Sequence, residues 1–249
     1  MNAGPDGIQA EVIEMMLAEM NANGDKNKNW LQFTVKGRVD LYADCYTRAR
    51  NRRIHDKVFA PFGLTHESFI ERQSTLSDLF IGEVLKQVQE TQVFLASETI
   101  IAGIDNSTGV VQPHIYCIRR YGDCGGNVTC CDALGYAMAG SGAAHADAVF
   151  MQGGFTRHFS NWKTLFLCYE AKRRSEVAIG VGPQTDIHVM GPAGGFFYLG
   201  DAKNEHKELP VIYERMVSRQ RDAQSQAVDE MADYIADKIP KSQSQLDEK

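Results

Sequence analysis

Gly140-Ser141-Gly142 is the stretch whose residue types lend themselves most directly to chemistry. A serine on a turn between a strand and a helix is the arrangement of a serine nucleophile. The spacing departs from the Gly-x-Ser-x-Gly elbow, however, because Ala139 and Ala143 hold the flanking positions. His145, His158 and His188 are available as bases, yet each is equally a packed or surface histidine. An independent serine hydrolase is therefore not the preferred reading. A phosphate-cradling loop fails too, since no lysine follows the turn. Cys124, Cys130 and Cys131 raise the question of zinc. Neighbouring residues of a strand point to opposite faces, and no C-x-x-C pair is present, so neither a metal nor any other cofactor is expected.

The elements that must position this turn are legible on both sides. Val128 to Ala137 reads as a strand, with Tyr136 to Ala139 leading into the glycine turn. Ala143 to Gln152 is a helix of small residues, and Trp162 to Ala178 an amphipathic one. A Gly/Pro turn leads to the alternating strand Asp186 to Met190, and Gly191 to Gly195 turns into a short strand, Phe196 to Leu199. Earlier, Pro5 and Asp6 suit a first helical turn, and Ile8, Val12, Met15, Met16 and Met20 form its apolar stripe. Asn21 to Asn29 is a polar loop, Trp30 to Val35 a short strand, and Val39 to Arg53 a helix. Arg48, Arg50, Arg52 and Arg53 read as a solvated helix face. Val58 to Glu71 reads as a lid or wall. Leu76, Phe80, Val84 and Val88 mark a helix ending near Glu90. Gln92 to Asp105 is a β-rich run, turned back at Asn106 to Gly109 to pair with His114 to Arg119. From Leu209 to Ile239 a long helix carries Tyr213, Met216, Ala223, Ala227, Met231 and Ile235 on one side, and residues 240–249 read as disordered. That helix is expected to cover the domain's own core rather than a neighbouring subunit.

Composition narrows the function classes. The chain has 249 residues, 43% hydrophobic and 23% charged, enough for a substantial core. Lys and Arg total 26 against 32 Asp and Glu, a net charge of -6, which argues against nucleic acid as a partner. No apolar run is long enough to span a bilayer and no signal segment is present, so a cytoplasmic protein with no membrane partner is expected. The six cysteines fit reduced thiols in that compartment.

Strand, Gly-Ser-Gly, small-residue helix, amphipathic helix, EAKRRSE (Glu170 to Glu176), glycine turn and TDIHVM (Thr185 to Met190) stand in one order. Together with the hairpin IIAGIDNSTGVVQPHIYCI (Ile100 to Ile118), they resemble the proteasome beta-type subunit family of N-terminal-nucleophile (Ntn) hydrolases. The resemblance covers about residues 3–199, most specifically 100–190. It implies an α+β fold, the family's αββα sandwich lacking its N-terminal strands. The implied organisation is a domain over 1–200, a C-terminal helix over 205–239 and a tail over 240–249. It also implies peptide or amide hydrolysis by a threonine-type peptidase, whose nucleophile is residue 1 of the mature chain and whose base is the α-amine. Ser141 would be an auxiliary catalytic residue, with Gly140 and Gly142 as the substrate or oxyanion turn. Ser175 stands where the family has an acid, with Glu176 beside it, and Ile179 to Thr185 where relatives bind a cation through carbonyls. Nucleophile, acid and lysine would lie ahead of Met1, so the chain as written is expected to be inactive, with an upstream extension in the natural reading frame. The alternative is a non-catalytic structural subunit. Partners would be copies of itself or a proteasome-like ring, with a peptide substrate only if the extension exists.

Overall fold

The computed structural model describes residues 2–3, 6–24, 34–106, 110–120, 127–191, 195–200 and 208–238. Two compact units divide the chain: Met1–Pro183 with Met190–Gly195, and Gln184–Val189 with Phe196–Lys249. The fold is mixed α+β, with antiparallel pairing throughout its four-stranded sheet.

In the first unit, β1 (Asn2–Ala3) precedes the helices α1 (Asp6–Gly24) and α2 (Val35–Ile54). A π-helical turn, His55–Phe59, and a 3-10 turn, Ala60–Phe62, lead to α3 (His66–Arg72) and then α4 (Asp78–Phe94). Three strands follow, β2 (Ser97–Asp105), β3 (Gln112–Arg120) and β4 (Asn127–Cys130), in the sheet order β1-β2-β3-β4. The helices α5 (Ala143–Gln152) and α6 (Asn161–Ser175) complete the unit.

Helix α2 is the axis of the main core. Thr34 starts it by accepting the Gly37 N–H, and Val39, Cys45, Tyr46 and Ala49 are fully buried along one face. Ile8 and Val12 of α1, Val84 of α4, and Tyr116 and Ile118 of β3 close around that face. Each such aliphatic side chain contributes about 1.5–3 kcal/mol on burial. The two buried tyrosines add direction: the Tyr46 hydroxyl donates to the Leu95 carbonyl. The Tyr42 hydroxyl joins Gln9 of α1 to Thr99 of β2, its contact with Thr99 being 2.7 Å. At Gly103 a Cβ would lie 2.8 Å from Val35 Cγ2, so the strand admits α2 this closely only because the residue is glycine.

The arginine run also clamps two helices: Arg48 and Arg52 are solvent-exposed as expected, and Arg50 is not. Arg52 and Arg53 both bind Glu11 of α1, Arg48 binds Glu19 and Asp44, and Arg50 is buried. Burial alone would raise the Glu11 carboxyl, but the two guanidinium groups outweigh it and hold the pKa below the usual range.

Several expected boundaries move. Trp30 to Phe33 lie outside the described residues, while Val35 belongs to α2, whose capping threonine decides the matter locally. Asn2 and Ala3 pair with Thr99 and Glu98, so a short strand precedes α1. Val58 to Glu71 is helical, with Val58, Phe59, Leu64 and Phe69 in the core, because Gly63 at φ 64° turns the chain back inward. Gln92 to Phe94 finish α4, and the strand begins at Ser97. β4 ends at Cys130, where Gly135, at φ 80°, closes a turn by donating to the Cys131 carbonyl. Tyr136 to Ala139 are consequently not strand. Their aromatic member packs into a second core with Val149 and Phe150 of α5 and Leu167 of α6, its ring 4.7 Å from that of Phe150.

β5 (Asp186–Met190), whose residues to Val189 belong to the second unit, pairs with β6 (Phe196–Gly200), and α7 (Glu208–Lys238) completes that unit. The Tyr198 hydroxyl donates to Asp186 across the strands. In α7 every residue from Ser218 to Asp237 is exposed. Residues 239–249 lie outside the described residues. Among the described residues no helix is long and apolar enough to cross a membrane.

Candidate functional site

Gly140 takes φ 93°, a left-handed conformation that favours glycine, and so reverses the chain ahead of α5. Its N–H donates to Glu98 Oε2 at 2.9 Å, and Glu98 also pairs with Arg119. The turn is thereby fastened to β2 and β3. Its other end is fastened to α6. The Ser175 hydroxyl, buried at the end of that helix, lies 3.1 Å from the Gly142 carbonyl and 2.7 Å from the Ala171 carbonyl, sharing its one proton between them. The Gly142 carbonyl also accepts the Ala146 N–H at 3.1 Å. A Cβ on Gly142 would meet Ser175 Cβ at 2.7 Å and Val181 Cγ2 at 3.3 Å. Residue 142 must therefore be glycine for α6 to approach.

Ser141 stands exposed between these two anchors. It does not cap α5, whose N-cap is Gly142 with no side-chain bond. Its hydroxyl makes no hydrogen bond among the described residues, and neither His145 nor His158 reaches it through one. His188 belongs to the second unit, where its ring lies 4.8 Å from that of Tyr198. The Gly140 N–H is spent on Glu98, which leaves the N–H groups of Ser141 and Gly142 as the turn's donors without a described partner. Adjacent N–H donors at a helix start favour an anionic oxygen. The serine beside them lacks a base.

At the position where the resemblance implies an acid, Ser175 braces Gly142, and Glu176 is paired with Lys172 at 3.0 Å and with Arg173 at 3.0 Å. The turn Ile179 to Thr185 is held partly by Lys172, which donates to the Gly182 carbonyl at 2.6 Å. An ammonium group on that carbonyl opposes a cation there. Cys130 is exposed and Cys131 buried, so the pair faces opposite ways; Cys124 lies outside the described residues. Among the described residues no group of three or more His, Cys, Asp or Glu side chains is arranged to hold a metal ion.

A cluster that sequence reasoning missed sits at the turn end of the β2–β3 hairpin. His114 Nδ1 is 2.6 Å from Asp132 Oδ2, and its Nε2 is 3.7 Å from Asp105 Oδ2. Register explains the Asp105 contact: Gly103 faces His114 and Asp105 faces Gln112, which makes Asp105 and His114 diagonal neighbours on one face. That diagonal was available from the hairpin pattern; the approach of Asp132 was not, because it depends on the turn after β4. Each carboxylate spends its other oxygen on a backbone N–H, Asp132 on Ile115 at 2.7 Å and Asp105 on Val35 at 2.8 Å. Burial would raise the Asp132 carboxyl, but the Ile115 N–H and His114 outweigh it and hold it below the usual range. Carboxylates engaged on both oxygens are positioned to brace strand, turn and helix, rather than to exchange protons with a substrate.

No family model matches this chain, and neither the curated proteins nor the solved structures supply a match.

Proposed function

We propose that this chain is a proteasome-type Ntn-hydrolase-like protein serving as a non-catalytic subunit, with its Gly-Ser-Gly turn kept as architecture. On this reading the β1–β4 sheet with α1 and α2 forms one half of an αββα sandwich, and α5 and α6 form the outer layer of the other. The observation that carries the reading is the Ser175 contact. The residue standing at the family's acid position holds the Gly142 carbonyl, while Ser141 is exposed with no hydrogen-bonded base. A hydroxyl without a base is a poor nucleophile. The element order Ile100 to Met190 supports the family, and a homo-oligomer or proteasome-like ring in the cytoplasm is the corresponding assembly.

The test is hydrolysis of fluorogenic peptidyl amides by the purified chain and by Ser141→Ala, with native mass measured alongside. The expected outcome is no turnover by either protein above buffer, together with a mass of several subunits. Turnover that Ser141→Ala abolishes would make Ser141 a nucleophile and defeat the proposal.

A further inference from the structure

Helix α7 is built against its own stability unless another charged surface meets it. Its exposed basic residues Arg215 and Arg219 stand four apart, as do the acidic residues Asp229, Asp233 and Asp237. Like charges at that spacing repel along a helix. The acidic run also occupies the C-terminal turns, where the helix dipole favours cations. None of Arg215, Arg219, Asp233 and Asp237 forms an ion pair with a described residue. Met231 of its apolar stripe is likewise 63% exposed, and Val228 and Ile235 beside the stripe are 60% and 48% exposed.

We infer that α7 pairs antiparallel with α7 of a second copy of this chain. At helical spacing, Arg215, Arg219, Glu230, Asp233 and Asp237 fall on one flank of the stripe that carries Met216, Ala223, Ala227, Met231 and Tyr234. A two-fold axis perpendicular to the helices, at the level of Ser225, brings this flank against the same flank of the second copy in reverse order. Arg219 then meets Glu230 and Asp233, and Arg215 meets Asp233 and Asp237, twice over by symmetry. At the axis Ala223 and Ala227 face one another, and small residues there let the two backbones approach. Met216 of each helix reaches Tyr234 of the other. A parallel pair has no such match, since the acidic flank would then face the side bearing Val228 and Ile235. The charge order thus selects both the occupant and its direction. This inference stands on α7 alone and is independent of the proposed hydrolase-like fold.

The experiment is sedimentation of the full chain over a range of concentrations. Arg215→Glu/Arg219→Glu makes the flank wholly acidic, and Glu230→Lys/Asp233→Lys/Asp237→Lys makes it wholly basic. Each variant alone should dimerise with a dissociation constant raised about 30-fold, from eight exposed contacts turned repulsive, each weak in solvent. Mixed one to one, the two variants should regain the affinity of the unaltered chain. Circular dichroism establishes that each remains helical, and Arg215→Ala/Arg219→Ala, which keeps good helix formers, should weaken the dimer in the same direction if a reversed variant unfolds. A monomer at all concentrations overturns the inference, as does a dimer indifferent to all three variants. A mixture that fails to regain affinity overturns it as well, and points to a partner other than a second α7.

Discussion

Gly142→Ala measures how tightly the Gly-Ser-Gly turn and α6 depend on one another. The backbone itself is permissive: Gly142 sits at φ -87°, ψ 0°, which alanine adopts. Losing glycine's freedom in the unfolded chain would stabilise the protein by about 0.4–1 kcal/mol. The new Cβ, however, falls 2.7 Å from Ser175 Cβ and 3.3 Å from its hydroxyl oxygen. Neither is the far end of a flexible chain, so α6 must shift, at about 1–3 kcal/mol for overpacking. The bond from Ser175 to the Gly142 carbonyl stretches with it, costing about 1 kcal/mol more. The steric term wins, and the net loss is about 1–3 kcal/mol. The assay is urea unfolding followed by Trp162, which lies in the first turn of α6, in a Trp30→Phe background. Ser175→Gly removes the atom in collision, so its cost in the Gly142→Ala background should be about 2 kcal/mol smaller than alone. Ser175→Ala keeps the Cβ and should bring no relief. The reasoning is refuted if Gly142→Ala is neutral, or if Ser175→Ala relieves it as well as Ser175→Gly.

Two further perturbations separate bracing from bystander residues. Ser141→Ala should change stability by no more than about 0.5 kcal/mol, because the side chain is exposed and caps nothing; the same urea titration checks it. Asp132→Asn removes the charge facing His114 and should cost about 1–3 kcal/mol at neutral pH. The folded state holds the Asp132 carboxyl below its unfolded value of about 3.9, so its stabilisation is complete above that pH and fades as pH falls through the folded value. The gap in Tm between Asp132→Asn and the unaltered chain should therefore close on acidification from pH 7 to about pH 3, and a gap that widens would contradict the assignment.

What the sequence disclosed depended on whether a local pattern or a distant contact decided each element. The stripes Ile8–Val12 and Phe80–Val88, and the hairpin alternation from Ile100 to Ile118, are periodicities that burial on one face enforces, and they landed on α1, α4 and the β2–β3 pair, with Leu76 just ahead of α4. Boundaries failed where a cap or a turn overruled propensity. Thr34 converts the end of a β-prone run into the start of α2, and the turn closed at Gly135 stops β4 before Tyr136 can extend it. Arg48 and Arg52 are solvated as read, but Arg50 is buried, and charge alone says nothing of the partners Glu11 and Glu19 on another helix.

The turn at Gly140 shows where the limit lies. Glycines at 140 and 142 announce a tight reversal, yet the two reasons for them differ. Gly140 is demanded by its own backbone angle, a local property that flanking residues reveal. Gly142 is demanded by Ser175, thirty-three residues later, whose hydroxyl binds its carbonyl and whose Cβ excludes a side chain. A serine at 175 carries no mark of that duty in the sequence, where it reads only as the absence of an acid. The same holds for Asp132, which becomes the partner of His114 only because the chain turns at Gly135. In both cases the residue that fixes the site belongs to another element, and its role follows from the packing that brings the two elements together. A hydroxyl engaged with two carbonyls has no proton left for relay, and this is the physical reason for reading the turn as architecture.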